Sequence, residues 1–246
     1  MRLSYYTTCK NRLMHLRETL PRNLKDNPDC EFVLIDYTSE DGLADWVRDT
    51  LLGEIKSGHL NYYRIDGMKF FNFSHAKNIG ATLCGGDIVC SLDADNFAPA
   101  GFADHLLQLF NEPGVFSSPP RHKSYGLWGR LVCTKKDFLK VKGYNEALKG
   151  WGYEDEDFRS RLKATGLKSL EWSPVYGELI VHAPEICTEN FEEKDIEKSH
   201  EENQRVAKAT FSHVNANGWG RATVVKNFGY KLVLSAGQVL PAGVFL

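Results

Sequence analysis

Two aspartates separated by one residue, Asp93 and Asp95, directly follow the short apolar run IVCSL. In an extended strand, alternate side chains point to the same side. Where the strand ends and the chain bends, two such carboxylates can share one divalent cation and the phosphate oxygens that it binds. The pair therefore predicts a cation site that neutralises a diphosphate group, although a solvent-exposed turn would have the same pattern.

The segment GWGYEDEDF, residues 150–158, places four consecutive acids at the start of a predicted helix. The helix dipole favours negative charge there, which is a purely structural explanation. Helical spacing separates the acids further: Asp155 and Glu154 lie on the side of the buried apolar residues, whereas Asp157 is expected to pair outward with Arg161. A carboxylate on an apolar face needs a partner or a chemical role. Asp155 is therefore a candidate general base for an attacking hydroxyl.

Asp36 ends another strand-like run and opens the turn-rich stretch DYTSEDG. A carboxylate at this place suits the base or ribose of a nucleotide, and a helix N-cap or turn is the alternative. His182 follows the apolar run Leu179–Val181, where it is either a structural residue or a ligand. If a metal ion lies at Asp95, a neutral imidazole from His182 would complete a mixed oxygen and nitrogen shell that manganese accepts.

Three further side chains are candidates for substrate contacts. Lys77 lies on a predicted helix that leads into the strand before Asp93, where a cation could meet a diphosphate, and an ordinary exposed lysine is the alternative. Trp128 and Trp151 both stand beside glycines and could stack on the face of a sugar. Either tryptophan could equally belong to the core, and we favour Trp151 for the functional role.

The first hundred residues predict the elements that position these candidates. Strand-like runs at Leu3–Thr8, Glu31–Asp36 and Leu60–Ile65 alternate with segments of helical spacing. A helix over Ser74–Cys84 then leads into the apolar strand Ile88–Leu92. The alternation predicts an α/β fold with a mostly parallel central sheet flanked by helices. Because ligands bind beyond the carboxyl ends of such strands, residues just after the strands are the best site candidates.

The second half has a less regular pattern. We predict a helix near Gly101–Asn111, a strand at Leu131–Thr134 and a strand at Glu178–Val181. A charged helix is predicted over residues 189–208, and residues 223–246 form an apolar C-terminal segment. No internal repeat or low-complexity tract is visible.

The bulk composition narrows the classes of function. The 246 residues carry a net charge of -2, which gives no reason to expect general nucleic-acid binding or a strongly basic membrane face. Six scattered cysteines without a CxxC pair, and no visible signal peptide, predict a protein of the reducing cytoplasm. Residues 232–246 are too short and too interrupted to span a bilayer, so we expect them to contact the domain, a second subunit or a membrane surface.

With these residues in view, the chain resembles glycosyltransferases of the GT-A fold, the Rossmann-like fold of nucleotide-diphospho-sugar transferases, over roughly residues 1–185. The N-terminal half is similar to the family 2 type through its first strand, the KNIGA and SLDADN segments, and Thr7, Thr8, Asn11, Arg12 and Asp36. Residues 126–166, above all KGWGYEDEDFRSRL, resemble the module shared by β-1,4-galactosyltransferases and polypeptide N-acetylgalactosaminyltransferases. This second motif is far more specific than the aspartate pair.

The resemblance implies a role for each matching residue on the donor side. Asp36 would contact the uracil and ribose of a uridine donor, and Asp93 would face ribose or metal. Asp95 would bind manganese directly, with His182 as a further ligand. The remaining residues implied on the donor side are Thr8, Asn11, Arg12 and Lys77.

The same resemblance assigns the catalytic residues. Asp155 matches the general base of the inverting members, Glu154 the acid that binds sugar hydroxyls, and Trp151 the tryptophan of the donor and acceptor pocket. Tyr153 departs from a pattern that often has glycine there, which leaves the donor sugar open. The membrane anchor and secretory cysteines of the galactosyltransferases are not visible either, so a bacterial or viral cytosolic enzyme is the better analogy.

The sequence therefore predicts a metal-dependent glycosyltransferase that uses Mn2+ or Mg2+. It would move a hexose or N-acetylhexosamine from a UDP-sugar to a saccharide, lipid-linked or other hydroxyl acceptor, with inversion. Residues 1–222 would form the GT-A domain, with a nucleotide-binding half over residues 1–100 and an acceptor half over residues 101–188. The alternatives are a nucleotidyltransferase, which would release pyrophosphate from UTP and a sugar phosphate, and a non-catalytic sugar-binding module.

Overall fold

The computed structural model describes residues 1–120 and 126–234. Within these ranges, all the strands join one sheet. In chain order they are β1 (Leu3–Cys9), β2 (Glu31–Tyr37), β3 (Leu60–Ile65), β4 (Ile88–Ser91), β5 (Val115–Ser118), β6 (Val132–Thr134), β7 (Lys168–Glu171), β8 (Ala222–Lys226) and β9 (Tyr230–Leu234).

Helices connect most of these strands, and two 3-10 turns occur at Pro174–Tyr176 and Phe211–His213. The α-helices are α1 (Leu13–Asp26), α2 (Leu43–Thr50), α3 (Leu52–Ser57), α4 (Phe73–Leu83), α5 (Phe102–Leu109), α6 (Lys135–Lys140), α7 (Glu154–Ala164), α8 (Pro184–Thr188) and α9 (Ile196–Thr210). Among the helices of the described residues, none is both long and apolar enough to cross a membrane.

The sheet has a parallel centre and antiparallel additions on both sides. Its strand order is β7-β5-β6-β4-β1-β2-β3-β8-β9, and β4, β1, β2 and β3 run parallel to one another. Strand β6 joins β4 antiparallel, and the β8–β9 hairpin joins β3 antiparallel. The α/β fold with flanking helices is confirmed. The sheet as a whole is mixed, because β6, β8 and β9 are added by antiparallel pairing, whereas the edge strand β7 pairs parallel with β5.

Helices cover both faces of the sheet, as a parallel centre requires. Successive residues of β1 point to opposite faces, so Tyr5 packs with α1, α2 and α5, and Tyr6 packs with α4. All six cysteines are free thiols, and all but Cys187 are buried, in keeping with small apolar side chains. The two apolar layers fix the parallel strands, and their carboxyl ends meet at one edge.

The early elements lie where the sequence predicts them, and the later ones differ more. The predicted strand Glu178–Val181 is wrong, because only Leu179 forms a single β-bridge there, with Asn96. The charged helix begins at Ile196 instead of residue 189, since Asp195 accepts a hydrogen bond from the backbone N–H of Lys198 and so caps its first turn. Residues 223–234 contribute to the β8–β9 hairpin. The predicted membrane or subunit contact of residues 235–246 lies outside the described residues.

Candidate active site

A cleft of about 590 Å³ opens at the carboxyl ends of β1 and β4. Its walls come from the residues after these two strands, the start of α1, helix α4, the start of α7 and the segment that leads into α9. The predicted site residues that line it are Thr8, Arg12, Lys77, Asp93, Asp95, Trp128, Trp151, Glu154, Asp155 and His182. The cleft therefore brings together most of the side chains that the sequence singled out.

Asp93 lies two residues beyond β4, on the floor of the cleft. Burial raises the pKa of its carboxyl group to about 6, the ammonium group of Lys77 lowers it, and the charges of Asp95 and Asp155 raise it further. Gly129 packs so closely that a Cβ there would collide with this carboxylate. The backbone carbonyl of Asp93 accepts from the N–H of Asn96 at 3.0 Å. Its carboxylate lines the cleft and accepts no hydrogen bond from the described residues, so its oxygens can accept contacts from a ligand.

Asp95 and His182 meet in the cleft although 87 positions separate them in the chain. The Nε2 atom of His182 lies 3.0 Å from Oδ2 of Asp95. This hydrogen bond is the main cause that raises the pKa of His182, against the opposing effect of burial. A carboxylate and an imidazole in contact are the kind of donor pair that Mn2+ accepts.

Backbone contacts bring His182 to this position without a regular strand. The N–H of Ile180 donates to the carbonyl of Asp95 at 2.8 Å, and the N–H of Phe97 donates to the carbonyl of Glu178 at 3.1 Å. The buried guanidinium of Arg130 stabilises the contact between these two segments, since it donates to the side chain of Asn96 and to the carbonyl of Glu178. The segment before His182 is thereby held against the chain that carries Asp95.

The described part of the chain contains no group of three or more His, Cys, Asp or Glu side chains that could hold a metal ion unaided. Asp95 and His182 nevertheless fit a site in which the protein supplies part of the shell. Divalent cations that bind phosphorylated substrates commonly keep few protein ligands and take the remainder from phosphate oxygens and water. The donor set fits manganese in combination with a diphosphate.

Two acids at the start of α7 share one buried ammonium group. The Nζ atom of Lys77 lies 3.1 Å from Oε1 of Glu154 and 2.9 Å from Oδ1 of Asp155, and Lys77 is only 1% exposed. Burial alone would lower the pKa of Lys77, but the charges of Asp155, Glu154 and Asp93 raise it well above its usual value. Burial and the charge of Asp155 raise the pKa of Glu154 to about 7, against the effect of Lys77.

The glycines of GWGY explain how the chain turns into α7. Gly150, Gly152 and Tyr153 all have positive φ angles, of 72°, 90° and 71°. Helix α9 packs against this turn, because the N–H of Trp151 donates to Oγ of Ser199 at 2.8 Å and a Cβ at Gly150 would collide with the same hydroxyl. Since the left-handed region disfavours most side chains, Tyr153 stands at a position that suits glycine better.

Asp157 behaves differently from its prediction. It does pair with Arg161, at 2.7 Å between Oδ2 and NH2, but the two residues are 2% and 5% exposed and point inward. Arg161 also donates to the carbonyls of Val141 and Gly143, which holds the guanidinium inside the protein. The outward placement of this pair was therefore wrong, because the helix start is covered on more than one side.

Two predicted donor-side residues do not line the cleft. Asp36 is 0% exposed, and its carboxylate accepts hydrogen bonds from the backbone N–H of Ser39, the hydroxyl of Tyr62 and the guanidinium of Arg64. Asn11 has a positive φ of 53° and donates to the side chain of Asn190 at 2.8 Å. In this conformation the side chains of both residues bind other protein groups and do not face the cleft.

The other donor-side candidates face the cleft with some of their groups already engaged. Arg12 pairs with Glu189 at 2.9 Å and donates to the carbonyl of Ile186, so it ties α8 to the end of β1. Trp151 is partly exposed to the cleft. Trp128 lines the cleft as well, with the guanidinium of Arg159 4.2 Å from its ring centroid.

Several residues of the site escaped the sequence interpretation. Lys10 is buried at the end of β1, where its ammonium donates to the carbonyls of Tyr37, Thr38 and Met68. His15 lies one helical turn after Arg12, and that spacing was a usable signal for a shared face. Arg130 gave no signal, because its partners, the side chain of Asn96 and the carbonyls of Tyr176 and Glu178, are all distant in the sequence.

Comparison with known proteins supports the resemblance to glycosyltransferases. Residues 117–186 match the family model for the N-terminal domain of galactosyltransferase. The matched segment contains Asp155 and His182, and it confirms the resemblance that the GWGYEDEDF motif indicated. The model covers less than half of the chain, so it identifies this segment and not the whole protein.

Solved structures of similar fold include several glycosyltransferases. The mannosyltransferase PcManGT from Pyrobaculum calidifontis, in complex with GDP-Man and Mn2+, shares 19% identity at a TM-score of 0.60, over 74% of this chain and 58% of its own. S. aureus TarS shares 13% identity at a TM-score of 0.65, over 87% of this chain and 40% of the TarS chain. A mutant of Drosophila β1,4-galactosyltransferase 7, in complex with manganese, UDP-Gal and xylobiose, shares 14% identity at a TM-score of 0.55. The match covers 85% of this chain and 80% of that one.

These likenesses establish the fold of the chain. It is the GT-A glycosyltransferase fold, with the strand order and mixed sheet described above. The chain spans 58% of the mannosyltransferase chain and 40% of TarS, so it corresponds to a part of each. The cleft at the carboxyl ends of β1 and β4 is the part of this fold in which the candidate residues collect.

Proposed function

We propose that this chain is a metal-dependent glycosyltransferase that moves a hexose or N-acetylhexosamine from a UDP-sugar to a hydroxyl acceptor, with inversion. One observation carries the proposal: the Asp95–His182 pair and the inward acid Asp155 line the same cleft. A transferase needs these two functions side by side, one for the leaving diphosphate and one for the attacking hydroxyl.

The comparisons support this proposal in two ways. The segment matched by the galactosyltransferase model includes both Asp155 and His182. Two of the similar structures contain Mn2+ together with a nucleotide sugar, GDP-Man in one and UDP-Gal in the other. We carry over the uridine donor because the matched segment is that of galactosyltransferases, and we carry over manganese because Asp95 and His182 are suitable ligands for it.

In the proposed reaction Asp155 takes the proton of the acceptor hydroxyl. The acceptor oxygen forms a bond to the anomeric carbon, and the bond from that carbon to the diphosphate oxygen breaks with its electron pair leaving on the diphosphate. Manganese, when bound at Asp95 and His182, supplies positive charge for this leaving group. Attack from the side opposite to the leaving group inverts the anomeric centre.

Lys77 has a different role from the diphosphate contact that its position in the sequence suggested. Its ammonium group is held by Glu154 and Asp155, so it fixes the orientation of both acids. Glu154, whose pKa is raised to about 7, carries a proton for much of the time at neutral pH and can donate a hydrogen bond to a sugar hydroxyl. Trp151 offers an apolar surface for the sugar ring.

A panel of UDP-sugars tests the proposal directly. The purified chain is incubated with each UDP-sugar and Mn2+, without acceptor, and the release of UDP is measured. We expect slow metal-dependent hydrolysis of one or a few donors, because water replaces the acceptor. Release of pyrophosphate from UTP and a sugar phosphate would instead identify a nucleotidyltransferase. Absence of both reactions and of UDP binding would refute the proposal.

Once the donor is known, Asp155→Asn tests the general base. The amide keeps the shape of the side chain but cannot take a proton, so transfer should fall by about 10²-fold or more while donor affinity changes little. Asp49→Asn is the matched control, since Asp49 is an exposed residue of α2. Near-normal turnover by Asp155→Asn would rule out the base assignment.

The acceptor is the least defined partner. We propose a saccharide, lipid-linked or other hydroxyl acceptor that enters beside Trp151 and Asp155, and we retain a cytoplasmic setting from the sequence. Acceptor screening follows the donor screen, because transfer can then be detected as faster UDP release when an acceptor is added.

A further inference from the structure

His15 is a buried imidazole in the wall of the cleft. It lies in the first turn of α1, three residues after Arg12, and it is 3% exposed. Its ring centroid lies 5.3 Å from that of His182, with the two rings tilted by 37°. His15 therefore stands next to the Asp95–His182 pair, on the side of the cleft that α1 forms.

The ring of His15 has no hydrogen-bond partner in the described chain. Its Nδ1 atom is buried and unpaired, and no described residue hydrogen bonds to Nε2 either. Buried polar groups in native proteins are nearly always satisfied. Five other histidines of the described residues do have hydrogen-bond partners, namely His59, His75, His105, His182 and His213. The partner of His15 is therefore expected to come from a ligand.

Its surroundings indicate what that ligand is. In the described ranges no three side chains converge on a metal ion, so His15 does not complete a metal site with Asp95 and His182 as they stand. The start of α1 presents the positive end of a helix dipole, and Arg12 adds a cation on the same wall of the cleft. An imidazole N–H beside a positive charge suits an oxygen of an anionic ligand.

We propose that His15 hydrogen bonds to an oxygen of the donor's diphosphate, next to the Asp95–His182 pair. The inference rests on the proposed function and names a contact within its site. It makes the first turn of α1, which lies outside the segment matched by the galactosyltransferase model, part of the recognition of the donor.

Calorimetric titrations of the full chain test this contact. His15→Ala and His15→Gln are each titrated with UDP in the presence of Mn2+, with uridine, and with Mn2+ alone. We expect His15→Ala to weaken UDP binding by about tenfold, which is the value of one hydrogen bond to a charged group. Uridine and Mn2+ affinities should not change, and the amide of His15→Gln should restore part of the UDP affinity. His213→Ala, at an exposed histidine, is the matched control.

Each other outcome has a definite meaning. Unchanged UDP affinity in His15→Ala would overturn the contact. An equal loss of uridine affinity would place His15 at the nucleoside, and an equal loss of affinity for Mn2+ alone would make it a metal ligand. Either result also overturns the proposal. If the wild-type chain binds no UDP, both the proposed function and this inference fail. If the wild-type chain binds UDP and His15→Ala binds it equally well, only this inference fails.

Discussion

The ammonium group of Lys77 lies 2.9 Å from the carboxylate of Asp155, and both side chains are buried beneath the cleft. The lysine comes from α4 and the acid from α7, so the contact ties the N-terminal half of the chain to the acidic helix. A proposed base that is held by a cation keeps one position. This arrangement places a cluster of charges inside the protein.

Replacing Lys77 with methionine should both destabilise the protein and impair transfer. The variant Lys77→Met leaves Glu154 and Asp155 buried without their cation, and breaking a buried ion pair in this way typically costs about 3–5 kcal/mol. Urea denaturation measures this loss, and Lys163→Met, at an exposed lysine of α7, is the control. A variant of unchanged stability and activity would show that the ion pairs do not hold the acids.

Stability should fall as the pH rises through the titration of Glu154. Its pKa is about 7 in the folded protein, raised first by burial and then by Asp155, against 4.5 for an ordinary glutamate. The folded state thus holds this proton more tightly than the unfolded state, so the stabilisation is complete below about pH 4.5 and is lost as the pH rises through 7. The free energy of unfolding should fall by at most about 1.4 kcal/mol per pH unit through this titration.

The variant Glu154→Gln isolates this effect. It removes the titrating group and keeps the size of the side chain, so its unfolding free energy should vary less between pH 5 and 7.5 than that of the wild type. Glu156→Gln, two residues further along α7, is the control and should keep the wild-type slope. Identical slopes in the wild type and Glu154→Gln would contradict the raised pKa.

Manganese affinity should depend on Asp95 and His182 together. Each of Asp95→Ala and His182→Ala should weaken Mn2+ binding in the presence of UDP by at least about tenfold, because each removes a ligand from the same ion. The double variant should lose much less than the sum of the two single losses, since ligands of one ion act as a unit. Calorimetry measures the affinities, with Asp49→Ala as the control, and fully additive losses would place the two residues at separate sites.

Tyr153 should reveal the strain of its backbone conformation. Its φ of 71° is disfavoured for side chains other than glycine, and its ring contacts His200 edge to face at 5.4 Å. Tyr153→Ala and Tyr153→Gly both remove this ring contact, so they differ mainly in the backbone term. We expect the glycine variant to be more stable than the alanine variant by about 1 kcal/mol in urea denaturation. Equal stability would mean that the turn relaxes to another conformation.

Local patterns in the sequence predicted the parts of the site that depend on neighbouring residues. The placement of Asp93 after a buried strand, and of Glu154 and Asp155 on the inward side of α7, follows from strand ends and helical spacing. The parallel centre of the sheet follows from the alternation of strands and helices in the first hundred residues. These features need no information about distant segments.

The features that the sequence did not predict depend on contacts between distant segments. Asp36 ends its strand as expected, yet Tyr62 and Arg64 from β3 occupy its carboxylate. His182 reaches Asp95 through two backbone hydrogen bonds and the support of Arg130, and not through the predicted strand. The short strands β5 and β7 carry few apolar residues in alternation, so periodicity could not distinguish them from loops.

The pairing of β3 with β8 also bears on the order in which the chain can fold. Tyr63 pairs with Lys226, so the outer edge of the parallel strands receives its neighbour only from a segment close to the end of the described chain. During synthesis on the ribosome that edge remains open until residues 222–226 have emerged, and open edges recruit other strands. Nascent chains arrested before β8 should therefore be the most prone to aggregate or to engage chaperones.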